Sequence, residues 1–228
     1  MRNFNRIIFT ALTFAILSFP AFSSEISTDK SDFDKISNYI DDAVYDIRYY
    51  SSYNFTGGRV RGYKAPVPYM TKEALAALEK AADILRKQGY RIIVWDSYRP
   101  QKAVDNFVEW MSDPVDEGNK SFYPKLEKKD LVSGGYVAVK SGHSRGSTID
   151  LSIVKMDGTS VDMGGTFDLF SEVSHPDYKK LTRKQKQNRK ILHDAMIEAG
   201  FVGIDSEWWH YTLKDEPFKD TYFNFDVE

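Results

Sequence analysis

The 228-residue chain contains no cysteine. This excludes a disulfide framework, thiolate metal ligands and a thiol nucleophile. Any metal site must therefore be assembled from His, Asp and Glu, and only four histidines are available. Internal repeats and long low-complexity linkers are also missing. An excess of positive charge is lacking too: 31 basic side chains face 33 acidic ones, for a formal net charge of −2. That mild acidity gives no sign of a nucleic-acid partner.

The only long apolar run stands at the start. Arg2 and Arg6 precede an apolar or small stretch from Ile7 to Phe19, and Ala21-Phe22-Ser23 resembles a small-x-small cleavage site. Residues 1–23 are expected to be an export signal, too short to span a bilayer stably, which needs about 20 apolar residues. With no cysteine after the cleavage site, a lipid anchor is not expected. The remaining residues, 24–228, suffice for one domain with a substantial core. They carry 29 basic and 33 acidic side chains. The expected location is periplasmic. A local basic run, Arg183, Lys184, Lys186, Arg189 and Lys190, reads as a solvated helix face.

Residues 24–32 are polar and expected to be loosely held, with the fold starting near Phe33. Thr71 to Gln88 predicts a helix: Leu75, Leu78, Ala82 and Leu85 recur at helical spacing, Thr71 offers a cap and Gly89 a stop. Arg91 to Trp95 predicts a buried strand running into Asp96-Ser97-Tyr98-Arg99, and Pro100 can open a helix with Val104, Phe107 and Val108 inward. Residues 112–134 read as a long surface excursion. Strands are expected over Tyr136–Lys140, Thr148–Val154 and Trp208–Leu213, and a second long helix over Thr182–Ala199. Long helices flanking non-adjacent strands predict an α+β fold.

Three stretches carry chemistry: Ser141 to Asp150, Glu207-Trp208-Trp209-His210, and Ser97-Tyr98-Arg99-Pro100. Strand alternation from Thr148 turns Ile149, Leu151 and Ile153 into the core and Asp150 the other way. Gly146 permits a tight turn that can return the chain towards His143. Two imidazoles and a carboxylate can hold a zinc ion and leave one position for water. Because residues three apart on a regular strand face opposite sides, Glu207 and His210 can share a site only if Glu207 lies at a bend before the strand. The two tryptophans are expected in the core or the cleft wall. By spacing alone, Arg99 could equally pair with Asp96, and Asp168 could cap a helix. Neither His175 nor His193 is expected to bind metal.

Taken together, Ser-x-His-x-x-Gly-x-x-x-Asp (141–150), Glu-Trp-Trp-His (207–210) and Asp-x-Tyr-Arg-Pro (96–100) resemble the zinc D-alanyl-D-alanine dipeptidases. These are relatives of the metal-dependent D,D-carboxypeptidases and of the hedgehog signalling domain. Tyr53-Asn54-Phe55-Thr56-Gly57, Met163-Gly164 with Phe167-Asp168, and Asp215 to Phe218 extend the likeness over nearly the whole exported chain. It implies a small antiparallel-rich sheet flanked by helices. It also implies one zinc per chain on His143, Asp150 and His210, with Glu207 as base and Arg99 on the oxyanion. Asp168 would receive the dipeptide's ammonium group, and Ser141 and Tyr53 would help fix the substrate. Thr148, where alanine is usual, and Gly165-Thr166, in place of a Thr/Ser-x pair, depart from the pattern. The implied activity is hydrolysis of the free dipeptide D-Ala-D-Ala. A carboxypeptidase trimming longer peptidoglycan peptides and a non-catalytic zinc-stabilised binding module are the rivals.

Overall fold

The computed structural model describes residues 25–115, 118–133 and 139–228. The expected export signal and most of the strand expected at 136–140 lie outside them. Along the chain run β1 (Glu25–Ser27), β2 (Phe33–Lys35), β3 (Val44–Tyr45), β4 (Tyr69–Thr71), α1 (Lys72–Lys87), β5 (Tyr90–Asp96) and α2 (Gln101–Ser112). There follow α3 (Lys128–Ser133), β6 (Thr148–Lys155), α4 (Arg183–Ala199), β7 (Phe201–Gly203), β8 (His210–Leu213) and β9 (Thr221–Phe223).

The apolar, β-branched runs of β5 and β6 form the middle of a five-stranded sheet of order β3-β5-β6-β8-β7. Only the β3–β5 pairing is parallel; the other three are antiparallel. Two small pairs, β1–β9 and β2–β4, complete an α+β architecture. α1 packs on α4 and on β5, burying Leu75, Leu78, Ala82 and Leu85 against Leu192, Ala195 and Met196. None of the described helices is long and apolar enough to cross a membrane.

Both long helices form where the pattern predicts, but their caps differ. Thr182 and Gln185 make a reciprocal capping box at α4, and Gly200 ends it at φ 104°. Thr71 occupies the cap position of α1, yet its hydroxyl lies 2.7 Å from the Ser147 hydroxyl and caps nothing. That bond ties the start of α1 to the loop before β6.

Two expectations fail. Residues 24–32 are not loose throughout: β1 adds to β9 in parallel, and the Asn224 amide donates to the Ser27 carbonyl. The stretch 112–134 is not wholly a surface excursion: most of its described residues are exposed, but Phe122, Tyr123 and Leu131 are buried. Its Asp, Pro and Lys content masks three apolar anchors, and Phe55 and Trp110 supply the aromatic surface beside them.

Candidate metal centre

A single transverse row on the sheet sets out the site. Asp96 on β5 pairs with Asp150 on β6, and Asp150 pairs with His210 on β8. Directly paired residues project to the same face. Val94 pairs with Leu151, so unbroken alternation would send Asp96 to the core face with Val94. The register shifts between Val94 and Asp96, and that bulge at Trp95 brings Asp96 round to join Asp150.

His143 arrives from a single 3-10 turn, Gly142–Arg145. Ser141 caps the turn, its hydroxyl accepting the His143 amide at 3.3 Å. Gly146 closes it at φ 86°, a left-handed conformation; a Cβ there would sit 2.2 Å from the Phe33 ring. The sequence expectation for this glycine therefore holds for two reasons, conformation and space.

The ring Nδ1 of His143 lies 2.7 Å from the Ser97 carbonyl. A carbonyl only accepts, so Nδ1 carries the proton and Nε2 offers its lone pair inward. That Nε2 is 3.1 Å from Asp150 Oδ2 and 3.3 Å from His210 Nδ1, and His210 Nδ1 is 3.0 Å from Asp150 Oδ1. Ligand atoms about 2.0–2.1 Å from a tetrahedral zinc would be about 3.3 Å apart, so the observed spacing fits such an ion. Among the described residues, these three form the one group able to hold a metal in this way.

Charge supports the same fit. Burial keeps the His143 imidazole below its ordinary pKa, hence neutral and able to ligate. Burial opposes charge on His210 as well, but the adjoining Asp150 and Glu207 carboxylates outweigh it and raise that group. Burial alone would raise Asp150; the two imidazoles reverse this and hold it below its ordinary value. Such a pocket attracts positive charge, which a divalent cation supplies without protons.

Glu207 stands just before the turn at Trp208-Trp209 that leads into β8. The regular strand begins only at His210, two residues later than expected, and this turn lets Glu207 reach the site as anticipated. Its Oε2 is 3.6 Å from His210 Nδ1, and burial pushes its carboxyl up to about 6. Trp208 and Trp209 are buried.

Arg99 makes the bland contact and more. Its Nε donates to Asp96 Oδ2 at 2.8 Å, while its NH2 group lies 3.6 Å from Asp150 Oδ2. Asp96 is fully buried, also accepts the Tyr63 hydroxyl at 2.6 Å, and sits 3.5 Å from His143 Nδ1. It is the partner that orients the guanidinium, a role its spacing from Arg99 hinted at.

Arg99, Glu207 and the three metal donors line a cleft of about 230 Å³, with Ser141, Asp168 and the aromatic walls Phe55, Phe107 and Phe170. Asp168 is not a helix cap. It is a buried residue at φ 56° whose carboxylate accepts the Tyr49 hydroxyl at 2.7 Å. Burial pushes its pKa well up, and the Asp150 and Glu207 carboxylates add to this against the opposing Tyr49 hydrogen bond and Arg99 charge. Tyr53 is a correction: it does not line the cleft but is 56% exposed, stacked beside Arg48 and Phe122. Tyr49 takes the place expected of it. Both belong to an aromatic-rich stretch with no periodicity, and only the chain's turn over Arg48–Tyr50 points Tyr49 inward. His175 and His193 stand apart, His193 on α4 beside Tyr211. A larger cleft of about 430 Å³ adjoins Glu207 from the α4 side, but none of the three metal donors lines it.

Comparison with known proteins gives the family. A family model described as D-ala-D-ala dipeptidase, peptidase M15, matches residues 29–228. A D-alanyl-D-alanine dipeptidase of Enterococcus faecium is 40% identical over 196 residues, covering 83% of this chain and 97% of the relative. One of Streptomyces coelicolor is 41% identical over 195 residues, 83% and 96% of the two chains. One of Escherichia coli is 33% identical over 172 residues, 75% and 79%. Among solved structures, the vancomycin-resistance D,D-pentapeptidase VanY in complex with Zn(II) aligns over 74% of this chain and 79% of its own. Its identity is 14% and its TM-score 0.39, too distant to bear on the site. The chain belongs to the D-ala-D-ala dipeptidase family of metallopeptidases, M15.

Proposed function

We propose that the protein is an exported zinc dipeptidase that hydrolyses D-Ala-D-Ala to two molecules of D-alanine. The observation that carries this reading is the meeting of His143, Asp150 and His210 at one point, with Glu207 and Arg99 lining the same cleft. The family and its relatives support the substrate. The apolar N-terminal stretch supports export to the periplasm.

His143, Asp150 and His210 would hold the ion, which when bound supplies a Lewis acid that polarises the scissile carbonyl and acidifies water. Glu207 accepts a proton from the attacking water as the new C–O bond forms, and returns it to the amine nitrogen as the C–N bond breaks. Its pKa, raised by burial, suits a group that must both take and give a proton. Arg99, held by Asp96, faces the developing oxyanion; one well-placed donor of this kind is worth about 3–4 kcal/mol. Asp168, with the Tyr49 hydroxyl, receives the ammonium group, and Ser141 borders the same cleft. A buried carboxylate at this end favours a free amine over an acylated one, which supports a dipeptidase over a carboxypeptidase that trims longer peptides.

The test is to incubate zinc-loaded protein with D-Ala-D-Ala, L-Ala-L-Ala and a muropeptide pentapeptide and to measure D-alanine release. Only D-Ala-D-Ala should be cleaved efficiently. Cleavage of the pentapeptide alone would make it a carboxypeptidase, and cleavage of none would make it a binding module. Cell fractionation tests the location.

A further inference from the structure

Asp168 is an expensive residue to keep in place. It is buried, left-handed at φ 56°, and has its carboxylate met by a neutral hydroxyl. Such a residue persists only where its surroundings over-determine it. The restraint comes from the first half of α4. Asn188 Nδ2 donates to the Asp162 carbonyl at 2.7 Å. Arg189 then grips both ends of the loop: Nε donates to the Met163 carbonyl at 2.7 Å, NH2 to the Val173 carbonyl at 2.7 Å, and NH1 to the His175 carbonyl at 2.9 Å. One guanidinium thus pinches the base of the loop that presents Asp168.

The same side chain also reaches the turn before β8. Its guanidinium lies 5.3 Å from the centre of the Trp208 ring, next to Glu207. The Trp208 amide donates to the Ser174 carbonyl at 3.0 Å, between the two carbonyls that Arg189 holds. The amine-binding loop and the segment bearing the base are fastened together at one place.

Arg189 is 6% exposed, and no carboxylate lies within ion-pairing distance of it among the described residues. Burial lowers its pKa to about 10. A guanidinium is costly in such surroundings. Its planar fork spreads five donors over three nitrogens, and here each nitrogen meets a different carbonyl, a span that a compact ammonium does not have.

We propose that Arg189 is a positioning residue for substrate selection. It fixes Asp168 relative to Glu207, so that a free ammonium group is seated at the distance at which the adjoining peptide bond meets the base. This rests on the dipeptidase reading above. It adds that discrimination for the free amine is set from α4, outside the cleft.

The test compares kcat/KM for D-Ala-D-Ala with that for the analogue whose ammonium is replaced by hydroxyl, (R)-2-hydroxypropanoyl-D-alanine. Loss of folded protein lowers both equally and leaves their ratio unchanged, whereas a displaced Asp168 lowers the ratio. Arg189→Lys, which keeps charge but not the fork, should lower it by about tenfold or more at unchanged zinc content. Asn188→Ala, which cuts one tie at one end, should shift it in the same direction by less. Hydrogen exchange should quicken at residues 164–174 in both variants. An unchanged ratio in soluble, metal-replete variants would overturn the proposal, as would unchanged exchange. If the wild-type protein cleaves neither compound, the functional reading fails instead, and the exchange experiment still decides whether Arg189 holds the loop.

Discussion

The row on the sheet and the rim of the cleft achieve placement by different means. Asp96, Asp150 and His210 sit on three hydrogen-bonded strands, and their spacing follows from register and one bulge. Asp168, Tyr49 and Glu207 sit on a loop, a 3-10 turn and the approach to a turn. Asp168 and Tyr49 are held by their mutual bond and by the grip of Arg189 on the loop base, and Glu207 by the tie of the next residue, Trp208, to Ser174. A strand position resists single substitutions because its backbone partners remain. A rim position depends on a few polar atoms, any of which can be removed. The row, together with His143 on its 3-10 turn, should therefore govern whether metal is held, and the rim which substrate is turned over.

Breaking the row has the largest expected effect. His210→Ala should lose both bound metal and turnover, read by elemental analysis and the D-alanine assay. Glu207→Gln separates the two regions most sharply: metal content should stay at the wild-type level while kcat falls by about 10²- to 10⁴-fold. Asp96→Asn keeps every ligand but weakens the support of Arg99 and the imidazole of His143. Metal affinity or activity should fall by about 10- to 100-fold.

Smaller changes sharpen the rim. Tyr49→Phe removes the hydroxyl that meets Asp168 and should raise KM for D-Ala-D-Ala by about tenfold, whereas Tyr53→Ala should leave kcat/KM unchanged. Equal effects would return Tyr53 to the site. Thr182→Ala removes the α4 cap and should cost about 1 kcal/mol of stability, seen as a lower Tm, without altering the selectivity ratio. That variant also separates general weakening of α4 from the particular loss of Arg189.

The same division explains what could be read from the sequence. Alternation from Thr148 places Asp150, and a Glu207 that shares a site with His210 requires the bend found at Trp208-Trp209. The long helices were legible from Leu75 to Leu85 and from Leu192 to Ala199, because one-sided burial leaves a periodic trace. The bulge at Trp95 leaves none, since no glycine marks it. Tyr49 could not be told from Tyr53 by neighbours alone; the choice rests on a bond to a residue 119 positions away. Phe122 and Tyr123 were hidden among polar residues, and β1 was missed because its partner strand lies at the opposite end of the chain. Contacts of high sequence separation decide such positions.

On the proposed reading, dipeptide hydrolysis depends on one divalent ion held by His143, Asp150 and His210. The most direct test strips the protein with a chelator and titrates Zn(II) back while D-Ala-D-Ala hydrolysis is followed. Activity should be absent at the start, rise in proportion to bound metal and level off at one equivalent, with no recovery for His210→Ala. Full hydrolysis by metal-free protein, or recovery by the His210→Ala protein, would contradict it.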